Sequence, residues 1–180
     1  MFGFLKKKKQ PERDLEKLIE IADILSKNNP TLHTSMVYCL DETFAYSRQY
    51  AERYAQRGID AEHCDRDTLC WIALADELED SGDLVSVDTA CEAEDLRWSL
   101  SQLNLVKKMN LTVPEPKAER FYGWLEEYRQ FFWFEHGLVL CEFCMDSDDY
   151  ELTILSKEQH LSVRNLALLA GHIIDEVEIP

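Results

Sequence analysis

Leu138-Val139-Leu140-Cys141-Glu142-Phe143-Cys144-Met145, then Asp146-Ser147-Asp148-Asp149, then Tyr150-Glu151-Leu152-Thr153-Ile154-Leu155 is the stretch that decides the fold. Two apolar runs flank a short polar link of hairpin length, and Asp and Ser favour such turns because they bond their own backbone. The runs are expected to pair as antiparallel strands. Leu138 to Cys141 has no polar position, so both faces of that strand need cover.

Downstream, Lys157 to Gly171 reads as a helix carrying Leu161, Val163, Leu166, Leu168 and Leu169, and Ile173 to Ile179 alternates as a closing strand. Upstream, Lys117 to His136 has the strongest helical pattern of the chain, with Phe121, Trp124, Leu125, Tyr128, Phe131 and Phe132 on one side and Gly137 as its stop. Before it lie the Val113-Pro114-Glu115-Pro116 loop, a helix from Glu92 to Leu103, and a short strand, Asp83-Leu84-Val85-Ser86-Val87. From Asp83 onward the order is strand, helix, helix, strand, strand, helix, strand. That is an α+β plan, a ferredoxin-like split β-α-β-β-α-β sheet with one extra helix. In that plan the Leu138 strand sits at an edge, which conflicts with its two apolar faces.

Three helices are expected before Asp83: Leu15 to Leu25, closed by Asn28-Asn29-Pro30; Ser35 to Arg57, with a break near Asp41 and a stop at Gly58; and Asp67 to Glu79, capped by Asp67 and ended by Gly82. They form an N-terminal helical layer that can cover the sheet's second face. Residues 1–11 read as a flexible basic tail and 12–180 as one α+β domain, with the helical layer over 12–82 and the sheet-containing part over 83–180.

The chain of 180 residues carries 19 Lys+Arg and 35 Asp+Glu, a net charge of −16. Lys6 to Lys9 hold four of the cations, so the body sets 15 cations against 35 acids, a charge of −20. Such a surface repels phosphate backbones and anionic lipid, which disfavours nucleic acid and makes a basic protein partner the natural complement. No run reaches the length of a bilayer-spanning helix, so stable membrane insertion is not expected. Phe2, Phe4 and Leu5 beside the lysines suit at most a weak contact with a membrane surface, and a loose solubilising tail is the plainer reading. The apolar residues precede the lysines and no secretion signal follows, so the six cysteines read as reduced thiols of a cytoplasmic protein.

Chemical motifs are absent where the usual signatures would place them. The six glycines are all apart, so no phosphate-cradling loop forms and no cofactor is expected. Gly58, Gly82, Gly137 and Gly171 read as helix stops, and Gly123 as a close contact inside a helix. No serine-hydrolase elbow or zinc-peptidase motif occurs, so no catalytic residue is assigned. Glu135 beside His136, and Asp175 near His172, are pairs that can polarise an imidazole only if they face each other. Cys141 and Cys144 have the spacing of half a zinc site, but i and i+3 on a strand face opposite sides, and no second pair is present. Asp146 to Asp149 lacks the glycine and glutamate of a calcium loop, so no metal is assigned.

On the aromatic helix, Tyr122 and Trp133 lie off the core stripe and form a second ridge. Exposed Trp and Tyr dominate protein–protein contacts, so these two are the candidate partner-binding residues. The alternative is that they pack against the N-terminal helices.

Three stretches together resemble a known bacterial family, the domain-of-unknown-function 6630 family: the Trp71 to Gly82 helix before Leu84-Val85-Ser86-Val87-Asp88, Glu94-Asp95-Leu96-Arg97-Trp98-Ser99-Leu100, and Asp148-Asp149-Tyr150-Glu151-Leu152-Thr153-Ile154-Leu155. The likeness covers the C-terminal two thirds, contains no catalytic motif, and leaves the N-terminal helices outside it. It implies a bacterial cytosolic protein. The leading expectation is a non-enzymatic protein-binding or regulatory module. The alternative is a small enzyme using dispersed Asp, Glu and His, which requires a pocket where two titratable groups converge. A metal-binding protein comes third, and the oligomeric state stays open.

Overall fold

The computed structural model describes residues 13–145 and 147–179. The expected tail of residues 1–11 lies outside the described residues. Four strands form one antiparallel sheet: β1 (Val85–Asp88), β2 (Leu138–Phe143), β3 (Asp149–Ser156) and β4 (Ile174–Glu176), in the order β1-β3-β2-β4. The hairpin pairs as its sequence predicts, with Leu140 opposite Ile154 and Phe143 opposite Glu151.

The α+β class holds, but the strand order differs from the ferredoxin-like one. A split β-α-β-β-α-β sheet places its first strand between the third and the last, whereas here the β2–β3 hairpin occupies the centre and the short strands β1 and β4 are the edges. The reason is visible in burial. Five of the six residues of β2 are buried, which an interior strand satisfies and an edge strand does not. This removes the conflict raised by the apolar run Leu138 to Cys141.

Side-chain alternation gives the sheet two faces. Leu138, Leu140, Leu152 and Ile154 point to one, while Val139, Cys141, Phe143 and Leu155 point to the other. The second face is covered by α1 (Lys17–Ser26), α2 (Pro30–Asp41), α5 (Arg66–Ser81) and α9 (Lys157–Ala170), through Leu18, Ile21, Met36, Leu74, Leu78 and Val163 among others. The N-terminal helices therefore cover the sheet as anticipated, joined by α9 from the C-terminal half. The first face is covered by α6 (Ala93–Gln102), α7 (Asn104–Met109) and α8 (Phe121–Gln130).

Local signals place most helix ends. Asn29 Oδ1 accepts from the Thr31 amide at 3.0 Å with Pro30 as the first helical residue, so this pair starts α2 just after α1 has ended in the left-handed region at Lys27. Asp65, and not Asp67, caps α5, accepting from the Thr68 amide at 3.0 Å. Gly82 and Gly171 end α5 and α9 in the left-handed region, with φ of 79° and 86°. Gly123 lies where an added Cβ would meet the Ala118 Cβ at 2.6 Å, the close contact its helical position suggested.

Two helical readings needed correction. The stretch from Ser35 to Arg57 is three helices, α2, α3 (Thr43–Gln49) and α4 (Ala51–Gln56), broken at Glu42 as expected and again at Tyr50. The long helix from Lys117 begins only at Phe121 and passes after Gln130 into a π-helical turn, Phe131–Glu135. The wider turn changes the phase of the aromatic run: Phe132 stays buried while Trp133 and Phe134 emerge. Among the described residues no helix is long and apolar enough to cross a membrane.

Candidate functional site

A cleft of about 760 Å³ opens where the α4–α5 region, the end of the β2–β3 hairpin and the α9–β4 turn meet. Its polar wall is built on α5, whose carboxylates Asp76, Glu77, Glu79 and Asp80 fall within two turns. Opposite them stand Arg53 and Arg57, one turn apart at the end of α4. Arg57 Nε and Nη2 both lie 2.8 Å from Asp76 Oδ1, and Nη1 donates to Glu151 Oε1 at 2.5 Å. Arg53 donates to Glu77 Oε1 at 3.1 Å and to Asp80 Oδ2 at 2.5 Å, and Tyr46 Oη also donates to Glu77.

Two of these carboxylates are taken out of water. Asp76 is 7% exposed and Glu151 is fully buried, and Asp76 Oδ2 and Glu151 Oε2 have no hydrogen-bond partner among the described residues. One guanidinium serves both. Burial drives the pKa of Asp76 above the ordinary carboxylate range against the pull of Arg57, and burial together with the Glu151 charge does the same to Glu79. Burial opposes the Arg57 charge, but its bonds to Glu151 and Asp76 raise its pKa further. Unpaired buried oxygens cost more than a made hydrogen bond gains, so this arrangement is not there for stability alone.

The apolar end of the cleft is a stack of three rings. Trp71 lies between Phe143, at 5.2 Å and 19°, and His172, at 4.4 Å and 3°, and its Nε1 donates to the Cys144 carbonyl at 3.4 Å. His172 Nε2 is buried without a partner among the described residues, and burial, reinforced by the Arg13 charge, holds its pKa below the ordinary value. Asp175, the neighbour that could have polarised it, instead lies 3.1 Å from His160 Nε2 and 2.9 Å from Arg164. His136 packs edge-on against Phe131 rather than pairing with Glu135.

The residues singled out from sequence for partner binding lie elsewhere. Tyr122 on α8 and Trp133 in the π-helical turn are 41% and 37% exposed. Tyr122 packs against Phe121 and Tyr150, whereas Trp133 lies under the Lys157 ammonium at 3.9 Å. Phe134, beside it, is 77% exposed. Of the cysteine pair considered for zinc, Cys141 is buried and Cys144 exposed, and among the described residues no group of three or more His, Cys, Asp or Glu side chains is placed to hold a metal.

The cleft was missed because its parts are distant in sequence, but two signals were legible. Asp76 falls in the helical phase of Leu69 and Ile72, so it is an acid on an apolar stripe. Glu151 alternates with Thr153 and Leu155, so it points inward with them.

No curated protein and no solved structure matches the chain. The profile of the family described as Domain of unknown function (DUF6630) matches residues 17–177, and the match takes in the N-terminal helices as well as the sheet. The chain belongs to that family.

Proposed function

We propose that the protein is a cytoplasmic, non-enzymatic binding module whose cleft takes a cationic group, a Lys or Arg side chain of a basic protein partner. Among the described residues, five carboxylates line the cleft, Asp65, Asp76, Glu79, Asp80 and Asp149, against three arginines. Each arginine is already committed: Arg13 to Asp67, Arg53 to Glu77 and Asp80, Arg57 to Asp76 and Glu151. The observation that carries the reading is this excess of negative charge around Asp76, a buried carboxylate with an oxygen left over. A cation entering the cleft offsets repulsion that the resident arginines leave in place.

The test is titration of the whole chain with hexalysine and, separately, hexaglutamate, followed by calorimetry. Hexalysine should bind, and Asp80→Asn with Asp149→Asn, both at exposed positions, should weaken it at least fivefold without changing the fold. No preference for hexalysine, or an unchanged affinity in the double variant, overturns the proposal.

An enzyme is favoured by one specific observation: Asp76 and His172, two groups with displaced pKa values, line the same cleft. Asp76 is tied by its Oδ1 to Arg57, which suits a binding group better than a mobile acid. Turnover of a small substrate lost in His172→Gln would replace the binding reading. Tyr122 and Trp133 are proposed as a separate partner contact, on the strength of their exposure and that of Phe134. A pull-down unchanged by Tyr122→Ala with Trp133→Ala removes them.

A further inference from the structure

Cys39 on α2 and Cys70 on α5 are both fully buried, and the Cys39 thiol donates towards Cys70 Sγ at 3.9 Å. The sulfurs are about 1.9 Å farther apart than in an S–S bond, a distance within the swing of two side chains. The surroundings of the pair are unequal. The Thr43 hydroxyl, which donates to the Cys39 carbonyl at 2.7 Å, lies 3.5 Å from Cys70 Sγ. Arg66 Nε donates to Thr43 Oγ1 at 3.3 Å and its Nη2 to the Leu40 carbonyl at 2.6 Å, which fixes a guanidinium charge beside Cys70.

We infer that Cys39 and Cys70 are a reactive dithiol, a site that a small-molecule disulfide converts into an intramolecular disulfide joining α2 to α5. The inference is independent of the cleft. The bond from Cys39, helped by Thr43 and Arg66, outweighs burial and lowers the Cys70 pKa, while the same bond raises that of Cys39. Cys70 is therefore the attacking sulfur and Cys39 the resolving one. The Cys70 thiolate attacks one sulfur of RS–SR, forming Cys70–S–SR and releasing RS⁻. Cys39 then loses its proton and attacks Cys70 Sγ, releasing the second thiolate. The protein dithiol is oxidised by two electrons, and one RS–SR is reduced to two RSH.

Access from outside runs past Arg66 and the Thr43 hydroxyl that it holds. Arg66 and Leu40 line an open groove of about 940 Å³, and Arg66 is also the residue that holds Thr43 against the pair. Three other thiols are less poised: burial raises the pKa of Cys91 and Cys141, and pushes Cys144 up to about 11.

The whole chain is treated with oxidised glutathione, quenched with iodoacetamide after unfolding, and mapped by mass spectrometry. The expected product links the Cys39 and Cys70 peptides, 2 Da lighter than the reduced pair and free of glutathione. In Cys39→Ser, or Cys39→Ala if serine disturbs the buried site, glutathione stays on Cys70. In Cys70→Ser the labelling of Cys39 falls at least tenfold. Recovery of both cysteines alkylated in the native chain, while other cysteines carry glutathione, overturns the proposal. So does a stable glutathione adduct on Cys70 with Cys39 still free, because the pair then fails to close.

Discussion

The two helical layers cover the same sheet with different chemistry. The fully buried residues of the α6–α8 side form a hydrophobic core, with Leu96, Leu100, Leu125, Tyr128 and Phe132 packed on Leu140 and Ile154. The other side holds the buried polar and reactive groups among the described residues: Asp76 and Glu151 under Arg57, Thr43 beside Cys39 and Cys70, and Thr153 bonded to the Asp83 carbonyl. One face stabilises by area removed from water, about 25 cal/mol per Å². The opposite face places charge and sulfur where water is scarce, at a cost to stability. The difference separates what holds the fold from what can act.

Two substitutions of comparable size break that comparison most severely. Phe132→Ala empties a fully buried site and is expected to cost about 3–5 kcal/mol, equally at pH 5 and pH 7. Arg57→Ala leaves Asp76 and Glu151 uncompensated and is also expected to cost about 3–5 kcal/mol at pH 7, but less at pH 5, because the raised pKa of Asp76 lets that carboxyl take up a proton as the pH falls. Urea unfolding at both pH values separates the two. An Arg57→Ala penalty that does not shrink in acid means the arginine acts through packing alone.

Gly123→Ala probes the packing of the apolar side. The new methyl falls on Ala118, a side chain that cannot swing away, and the expected loss is about 1–3 kcal/mol. A smaller loss, read from the denaturant midpoint, shows that the 118–120 segment gives way.

On the other side, Asn29→Ala removes the α2 cap at an expected cost of about 1 kcal/mol. Thermal unfolding tests it, and an unchanged Tm shows that α2 is held by Leu32, Met36 and Leu40 without the cap.

The smallest effect appears only as a slope. The Asp76 pKa is raised on folding, so its contribution to stability is full below the unfolded value, about 3.9, and is lost as pH rises through the folded value. Asp76→Asn removes that loss, so the variant should gain on the parent between pH 4 and pH 7. His172 behaves oppositely: its folded pKa is lowered, so stability is full above about 6.5 and falls as pH drops towards the folded value. His172→Gln should flatten that acid limb, and parallel curves for variant and parent would show that His172 is not desolvated.

Local pattern made much of this structure legible. The hairpin, the stop at Gly82, and the apolar stripes of α1 and α5 are readable because each depends on residues within one or two turns of each other. The π-helical turn was not, because the sequence Phe131-Phe132-Trp133-Phe134 keeps an ordinary helical pattern while the backbone inserts a residue. The additional helix α7 was likewise unread, since its six residues show only Val106 buried.

The sequence by itself determined the α+β class, the hairpin, the two-sided cover that β2 demands, and the acidity of the body. Strand order, the cleft and the thiol pair were decided only in three dimensions. Arg57 and Glu151 are 94 positions apart and Cys39 and Cys70 are 31 apart. Nothing in local periodicity encodes which distant side chains meet. That depends on which sheet face each helix covers, and the central place of β2 and β3 sets it by turning Glu151 and Cys141 towards the N-terminal helices.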